Sequence, residues 1–359
     1  MDRVIMWIMS LGIVLGGIDR ILGNRFGLGK RFEDAFRVMG DIALSMAGII
    51  CFTPLLSRFI SAAVGPLCGL LNIDPSIFAG VIAIDMGGYQ LAVDMAKNPL
   101  VGNFSGVVIA STLGCAITFT IPVGMGMVMK EDRQAFARGI LFGLIAVPAA
   151  LIFGGLLCGL SLGAILWQSL PMLLVSALLL LGIWKCTDKM IRGFSMFAAG
   201  IRIISTIGLI AAAFQYMTGF ALIPGLAPIQ EAMAIVASIA IAMLGSLPIS
   251  ELLQRLLKRP MAWFGERTGM NSASVTGLLI GIVSVTMGIV LIKDMDKRGK
   301  VVIAAYLVCA ASGFAAHLGF VAGMNSSLIA PLLVSKVVGG AVGAAIALWG
   351  TRGKAKSAA

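Results

Sequence analysis

Apolar residues in this chain run in long, nearly unbroken stretches separated by short polar ones, and the spacing predicts helices rather than alternating strands. Nine stretches are long enough to cross a hydrocarbon core of about 30 Å: residues 4–22, 35–57, 103–129, 139–160, 164–184, 193–217, 229–253, 301–321 and 326–349. Two more, 76–95 and 272–292, are apolar but interrupted. The first reads SIFAGVIAIDMGGYQLAVDM and carries Asp85, Gly87, Gly88 and Gln90 in its middle. Glycine weakens a helix by about 1 kcal/mol relative to alanine, so the pair marks a break. The second reads SASVTGLLIGIVSVTMGIVLI, with Ser284 and Thr286 inside it.

The polar stretches are basic, and their positions set a topology. Arg25, Lys30, Arg31 and Arg37 follow the first helix. Further clusters are Lys130, Arg133 and Arg138; Lys185, Lys189 and Arg192; Arg255, Lys258, Arg259 and Arg267; and KDMDKRGK at 293–300. If these loops are cytoplasmic, the N-terminus lies outside and the C-terminus, with Arg352, Lys354 and Lys356, lies inside. The stretch 76–95 then begins and ends outside, and 272–292 begins and ends inside. Both should be re-entrant hairpins, of opposite orientation. The letters repeat as well: SGVVIASTLGCAITF from Ser105 matches GKVVIAAYLVCAASG from Gly299 at VVIA and CA. An inverted repeat is therefore expected, with 75–129 and 271–322 as a two-part core and 139–254 mainly as scaffold helices within one transmembrane domain.

Composition sharpens the class. With 59% hydrophobic and 12% charged residues, and a mean hydropathy of +1.02, the expected fold is all-α, a polytopic membrane-spanning bundle. The 45 glycines against 7% aromatics suit helices packed through small residues. A net charge of +11 would suggest nucleic acid in a soluble protein, but here the cations fall in loops between apolar runs, so no nucleic-acid partner is expected. Cys51, Cys68, Cys115, Cys158, Cys186 and Cys309 lack metal-type spacing and read as packing residues. The first helix has Asp2 and no small-residue cleavage site, so it reads as retained rather than as a removed signal.

Asp85 is the leading candidate for chemistry, because a carboxylate at bilayer depth costs roughly 2.5–3.5 kcal/mol on insertion scales and needs a cation, a partner or a cavity. Ionised, it only accepts hydrogen bonds, which suits a cation or a hydroxyl. Gly87, Gly88 and Gln90 join it at the first hairpin tip, Thr118 lies in the following helix, and Ser284 and Thr286 are at the second tip. His317, the single histidine, aligns in the repeat with Val123. One carboxylate among neutral hydroxyls and amides suggests a small cationic, hydroxylated solute. No metal constellation, phosphate loop or nucleophile with a base stands at motif spacing, so no cofactor and no enzyme activity are expected. Movement would be facilitated, or coupled to an ion, a proton or the membrane potential. Asp41, Arg202 and Glu231 are left open as further members of the path.

The chain also resembles the ethanolamine transporter family of bacterial ethanolamine utilisation operons. The resemblance rests on DRIL at 19–22, PSIFAG at 75–80, DMGGYQLA at 85–92, LIPGL at 222–226, MDKRGK at 295–300, HLGF at 317–320 and VSKVVGG at 334–340. It implies an inner-membrane protein that admits ethanolamine as ethanolammonium for catabolism. This chain departs from the family's usual pattern at SVTM, 284–287, where amides are common, and at Ala316, where an acid is common. A channel-like pore and a non-transporting sensor or scaffold are the alternatives to a permease. Homo-oligomerisation through scaffold helices is a normal expectation.

Overall fold

The computed structural model describes residues 2–351. The basic C-terminal residues Arg352, Lys354 and Lys356 lie outside the described residues. Helices make up the fold, with no strand among the described residues, and seven of them are long and apolar enough to cross a membrane. The chain is an all-α, multi-pass membrane bundle.

The helices run α1 (Asp2–Ile21), α2 (Leu28–Leu71), α3 (Ser76–Ala79), α4 (Gly88–Met95), α5 (Pro99–Met127), α6 (Arg133–Leu157) and α7 (Leu162–Thr218). They continue as α8 (Ile229–Thr268), α9 (Ser272–Gly281), α10 (Val285–Val290), α11 (Lys297–Ala310), α12 (Ala316–Met324) and α13 (Ile329–Gly350). The differences from the expected spans have local causes. The basic connection after α1 is already helical from Leu28, because Asp19 accepts hydrogen bonds from the backbone N–H groups of Phe26, Leu28 and Gly29 and so satisfies the exposed amides of a helix start. The helix expected at 35–57 continues to Leu71, where Asn72 at φ 51° ends it. The pair expected at 164–184 and 193–217 forms a single run bent at Cys186 (φ −142°, ψ 51°). There Met190 packs back against Gly182, residues that a straight helix would hold about 12 Å apart along its axis. The helix expected at 229–253 carries on through its basic stretch to Thr268, and the one expected at 301–321 is broken between α11 and α12.

Burial separates centre from periphery. In α5, 83% of the most apolar stretch is buried, against 22% in α1 and 28% in α7, whose outer faces carry Trp7, Trp184 and Met196. Helices α6, α11 and α13 pack tightly on one another and on α5. They approach through glycine: a methyl group at Gly139 would meet the Val301 carbonyl, one at Gly143 the Ala305 carbonyl and Val308, and one at Gly343 again Ala305. Lipid gives apolar helices little reason to associate, so such close small-residue packing carries the contact.

The two interrupted stretches are hairpins whose ends meet. In the first, α3 to α4, Asp74 accepts from Ser76 N–H with one carboxylate oxygen (2.9 Å) and from Lys97 and Asn98 N–H with the other (3.0 and 2.8 Å). In the second, α9 to α10, Asp296 accepts from Asn271 N–H (3.0 Å) and the Ser274 hydroxyl (2.7 Å), and with its other oxygen from Arg298 and Gly299 N–H (both 3.1 Å). One carboxylate latches each hairpin, from its start in one case and from its end in the other.

Asp296 lies in the polar loop before α11. Partial burial pushes its carboxyl upward, but the hydrogen bonds from Ser274, Asn271, Gly299 and Arg298 outweigh this and hold it below the ordinary carboxylate range. A depressed folded-state value contributes stability that is present above the unfolded value of about 3.9 and is lost as pH falls through the folded value. Asp296→Asn should therefore lower stability by about 1–3 kcal/mol at neutral pH. In thermal unfolding scans of the purified proteins, the gap between wild type and variant should close as pH drops below about 4.

Candidate functional site

The first hairpin is broken by its own sequence. Helix α3 stops after one turn, a single 3-10 turn follows at Ile84–Met86, and Gly87 takes a φ of 87° before α4 begins. Side chains other than glycine avoid that region, and a methyl group on Gly87 would also strike Ile49. At Gly88 a methyl group would meet the Ile82 carbonyl. The glycine pair thus shapes the turn, and the turn exposes Asp85.

The second break lies opposite. Helix α11 ends at Ala310, the chain crosses Ala311 to Ala315 out of helical conformation, and α12 starts with His317 in its first turn. The His317 N–H donates to the Ser312 carbonyl, which fixes the turn. His317 is buried, and its Nε2 lies 3.9 Å from Asp85 Oδ2, close for opposite charges but too long for a direct hydrogen bond. The Tyr89 ring meets Phe320 edge to face at 6.1 Å, and Gln90 Nε2 lies 3.7 Å from the Met324 sulfur, so α4 and α12 touch through these side chains.

Three polar atoms in this junction are buried without a partner: Asp85 Oδ1, Gln90 Oε1 and His317 Nδ1. Buried polar groups are nearly always hydrogen-bonded, because stranding one costs about 1–3 kcal/mol. Three together make a set of groups ready for a polar ligand.

Ser284 and Thr286 come to a neighbouring place. Their hydroxyl oxygens are 3.2 Å apart, and both residues line a cavity of about 470 Å³. The cavity runs from Arg31, Asp34 and Glu251 past Phe119 and Ser312 to Ala316, the residue before His317. Thr118 is buried and turned to its own helix, donating to the Gly114 carbonyl at 2.8 Å. It sits in a π-helical stretch, Ala116–Thr120, so α5 is widened where it passes the site. Asp41, Arg202 and Glu231 are exposed and line neither the cavity nor the Asp85 junction.

Reasoning from the sequence passed over two kinds of residue. Asp74 belongs to no motif in the sequence and Asp296 only to the MDKRGK run, yet each stands at a hairpin mouth. Lys336 stands in the sequence only as the lysine of the VSKVVGG run. It is fully buried in α13, and its ammonium donates to the carbonyls of Ser111, Cys309 and Ala311. The signal was there: among the 22 residues of α13 it is the only charged one.

Residues 1–349 match the family described as "Ethanolamine utilisation protein, EutH". The chain belongs to the EutH family. It is 39% identical over 349 residues to a protein of Listeria monocytogenes named "Probable ethanolamine permease EutH", covering 97% of this chain and 94% of that one. It is equally similar, 39% over 351 residues, to the "Uncharacterized protein YxeR" of Bacillus subtilis, with 98% and 95% covered. A Salmonella typhimurium protein, also named "Probable ethanolamine permease EutH", is 32% identical over 386 residues, with 97% and 95% covered. No solved structure matches the chain.

Gly87→Ala tests the shape of the turn. The added methyl meets both a left-handed φ and Ile49, so a loss of about 1–3 kcal/mol is expected. Hydrogen exchange should rise at residues around 80–90 before it rises in α5.

Proposed function

We propose that this EutH-family protein is a permease that brings ethanolamine, as ethanolammonium, across the bacterial inner membrane, and is not an enzyme. The observation that carries the reading is the trio of unpartnered polar atoms at the meeting of the first hairpin and α12. Ethanolammonium offers N–H donors at one end and a hydroxyl at the other. Asp85 Oδ1 and Gln90 Oε1 are acceptors that suit the ammonium, and His317 Nδ1 suits the hydroxyl. The names of the Listeria and Salmonella relatives support the same solute.

The proposed site lies between the first hairpin and the broken helix, with the second hairpin on the neighbouring cavity, an arrangement that supports a transporter with an inverted repeat over 75–129 and 271–322. The cavity lined by Ser284 and Thr286 is the route between the site and the side marked by Arg31, Asp34 and Glu251, and basic loops make that side cytoplasmic. The described conformation is then inward-facing. Access alternates as the hairpins, α5 and α11 shift together with α6 and α13, which pack on them, against the remaining helices. An inside-negative potential supplies about 2.3 kcal/mol per charge per 100 mV, enough to draw a monocation inward.

Uptake of labelled ethanolamine into proteoliposomes tests this. Wild-type uptake should saturate and increase with an inside-negative potential. Asp85→Asn should reduce it by about 10-fold or more, the scale of losing a charge-assisted hydrogen bond. Non-saturating flux would favour a pore. Absence of both uptake and ethanolamine binding by folded protein would overturn the reading.

A further inference from the structure

Lys336 lies in the middle of α13, with no exposed surface. Its Nζ donates to three backbone carbonyls: Ser111 at 2.7 Å, Cys309 at 3.2 Å and Ala311 at 2.7 Å. Ser111 belongs to the π-helical part of α5, while Cys309 and Ala311 stand at the broken end of α11. The ammonium therefore joins the two helices that follow the two hairpins, and all three of its donors are used.

A lysine at this depth is costly to insert, so it stays only where something holds it. What holds it is not a carboxylate at hydrogen-bond distance but a cluster of carbonyls released by a helix break and a widened helix. Such clusters are the donor set for small monovalent cations, and transporters with discontinuous helices use unwound carbonyls and helix C-termini to hold a coupling ion. Here the position is filled from within the chain. Asp85, Cys115, Cys309 and His317 are the ionisable groups near enough to act on its charge or to feel it.

We propose that Lys336 is a tethered cation occupying the place of a coupling ion, so that this protein's conformational cycle uses no inorganic monovalent cation. The consequence for transport rests on the permease reading above; the occupancy of the carbonyl cluster does not. With the ammonium removed, three convergent carbonyls are left without a partner, and a cation from solution can take its place.

The test is thermal unfolding of purified wild type, Lys336→Ala and Lys336→Met in lithium, sodium, potassium and choline chloride at equal ionic strength. Wild type should unfold at the same temperature in all four salts. Lys336→Ala should be less stable in choline and should gain about 2–4 °C, saturably, with at least one of the small cations. Lys336→Met, which fills the space with a thioether, should not gain. A folded Lys336→Ala protein that responds identically to all four salts would overturn the proposal. If Lys336→Ala does not fold, wild type still decides: a midpoint that depends on sodium or potassium over choline overturns it, and one that does not upholds it. Wild-type ethanolamine uptake with choline replacing both metal ions inside and outside should stay within about twofold of its rate in sodium, since no metal ion is linked to the cycle. Failure of uptake in every salt counts against the permease reading and leaves the thermal result standing.

Discussion

In an apolar interior a backbone N–H or C=O has no water to turn to, so each break in a helix must find its partners within the protein. This chain breaks its helices repeatedly, at residues 80–87, at 282–284 and between Ala310 and Ala316; at the first, Met86 and Gly88 N–H bond back to the Ala83 carbonyl, and at the others a side chain takes up freed backbone groups. Asp74 and Asp296 take up the amides at the hairpin mouths. Ser284 caps the second half of its hairpin, and Lys336 takes up the carbonyls at the end of α11. Removing Asp74, Asp296 or Lys336 leaves buried or partly buried backbone groups unpaired, which is costlier than a missing surface contact.

The breaks are tolerable because the helices around them are rigidly packed. Gly139, Gly143 and Gly343 let α6, α11 and α13 touch backbone to backbone, and α5 is buried against all three. That block presents Ser111 and Ala311 to Lys336, while α12, with His317, packs mainly on α8. The end of α11 unwinds with its backbone held, by Lys336 on one side and by the Gly281 and Ile282 carbonyls of the second hairpin on the other.

Much of the architecture was legible in the letters. Apolar run lengths marked the spans, DMGG marked the first break, and the DMGG and HLGF pair named the two sides of the junction, which the structure brings to 3.9 Å. Boundaries were less legible. Basic charge suggests loop at 28–37 and 254–268, yet both are helix, because Asp19 caps the first and because Arg31 pairs with Glu251 while Arg255 donates to the Phe26 carbonyl across the two. The break before His317 was not visible either, since AASGFAAH contains no proline and reads as a continuation of the apolar run.

By itself, then, the sequence determined the class of molecule, the two interrupted stretches and the presence of a carboxylate within an apolar stretch, because these follow from local quantities: hydropathy over a span, glycine pairs, and charge between spans. The tertiary structure decided which polar atoms were already satisfied and which were left over. Thr118 turned to its own helix, Asp74 and Asp296 became latches, Lys336 took three carbonyls, and Asp85, Gln90 and His317 were left with atoms unpaired. Hydrogen-bond satisfaction depends on partners distant along the chain, 225 residues apart for Lys336 and Ser111. No local pattern encodes that distance, and so the site could be named from its residues but assembled only by the fold.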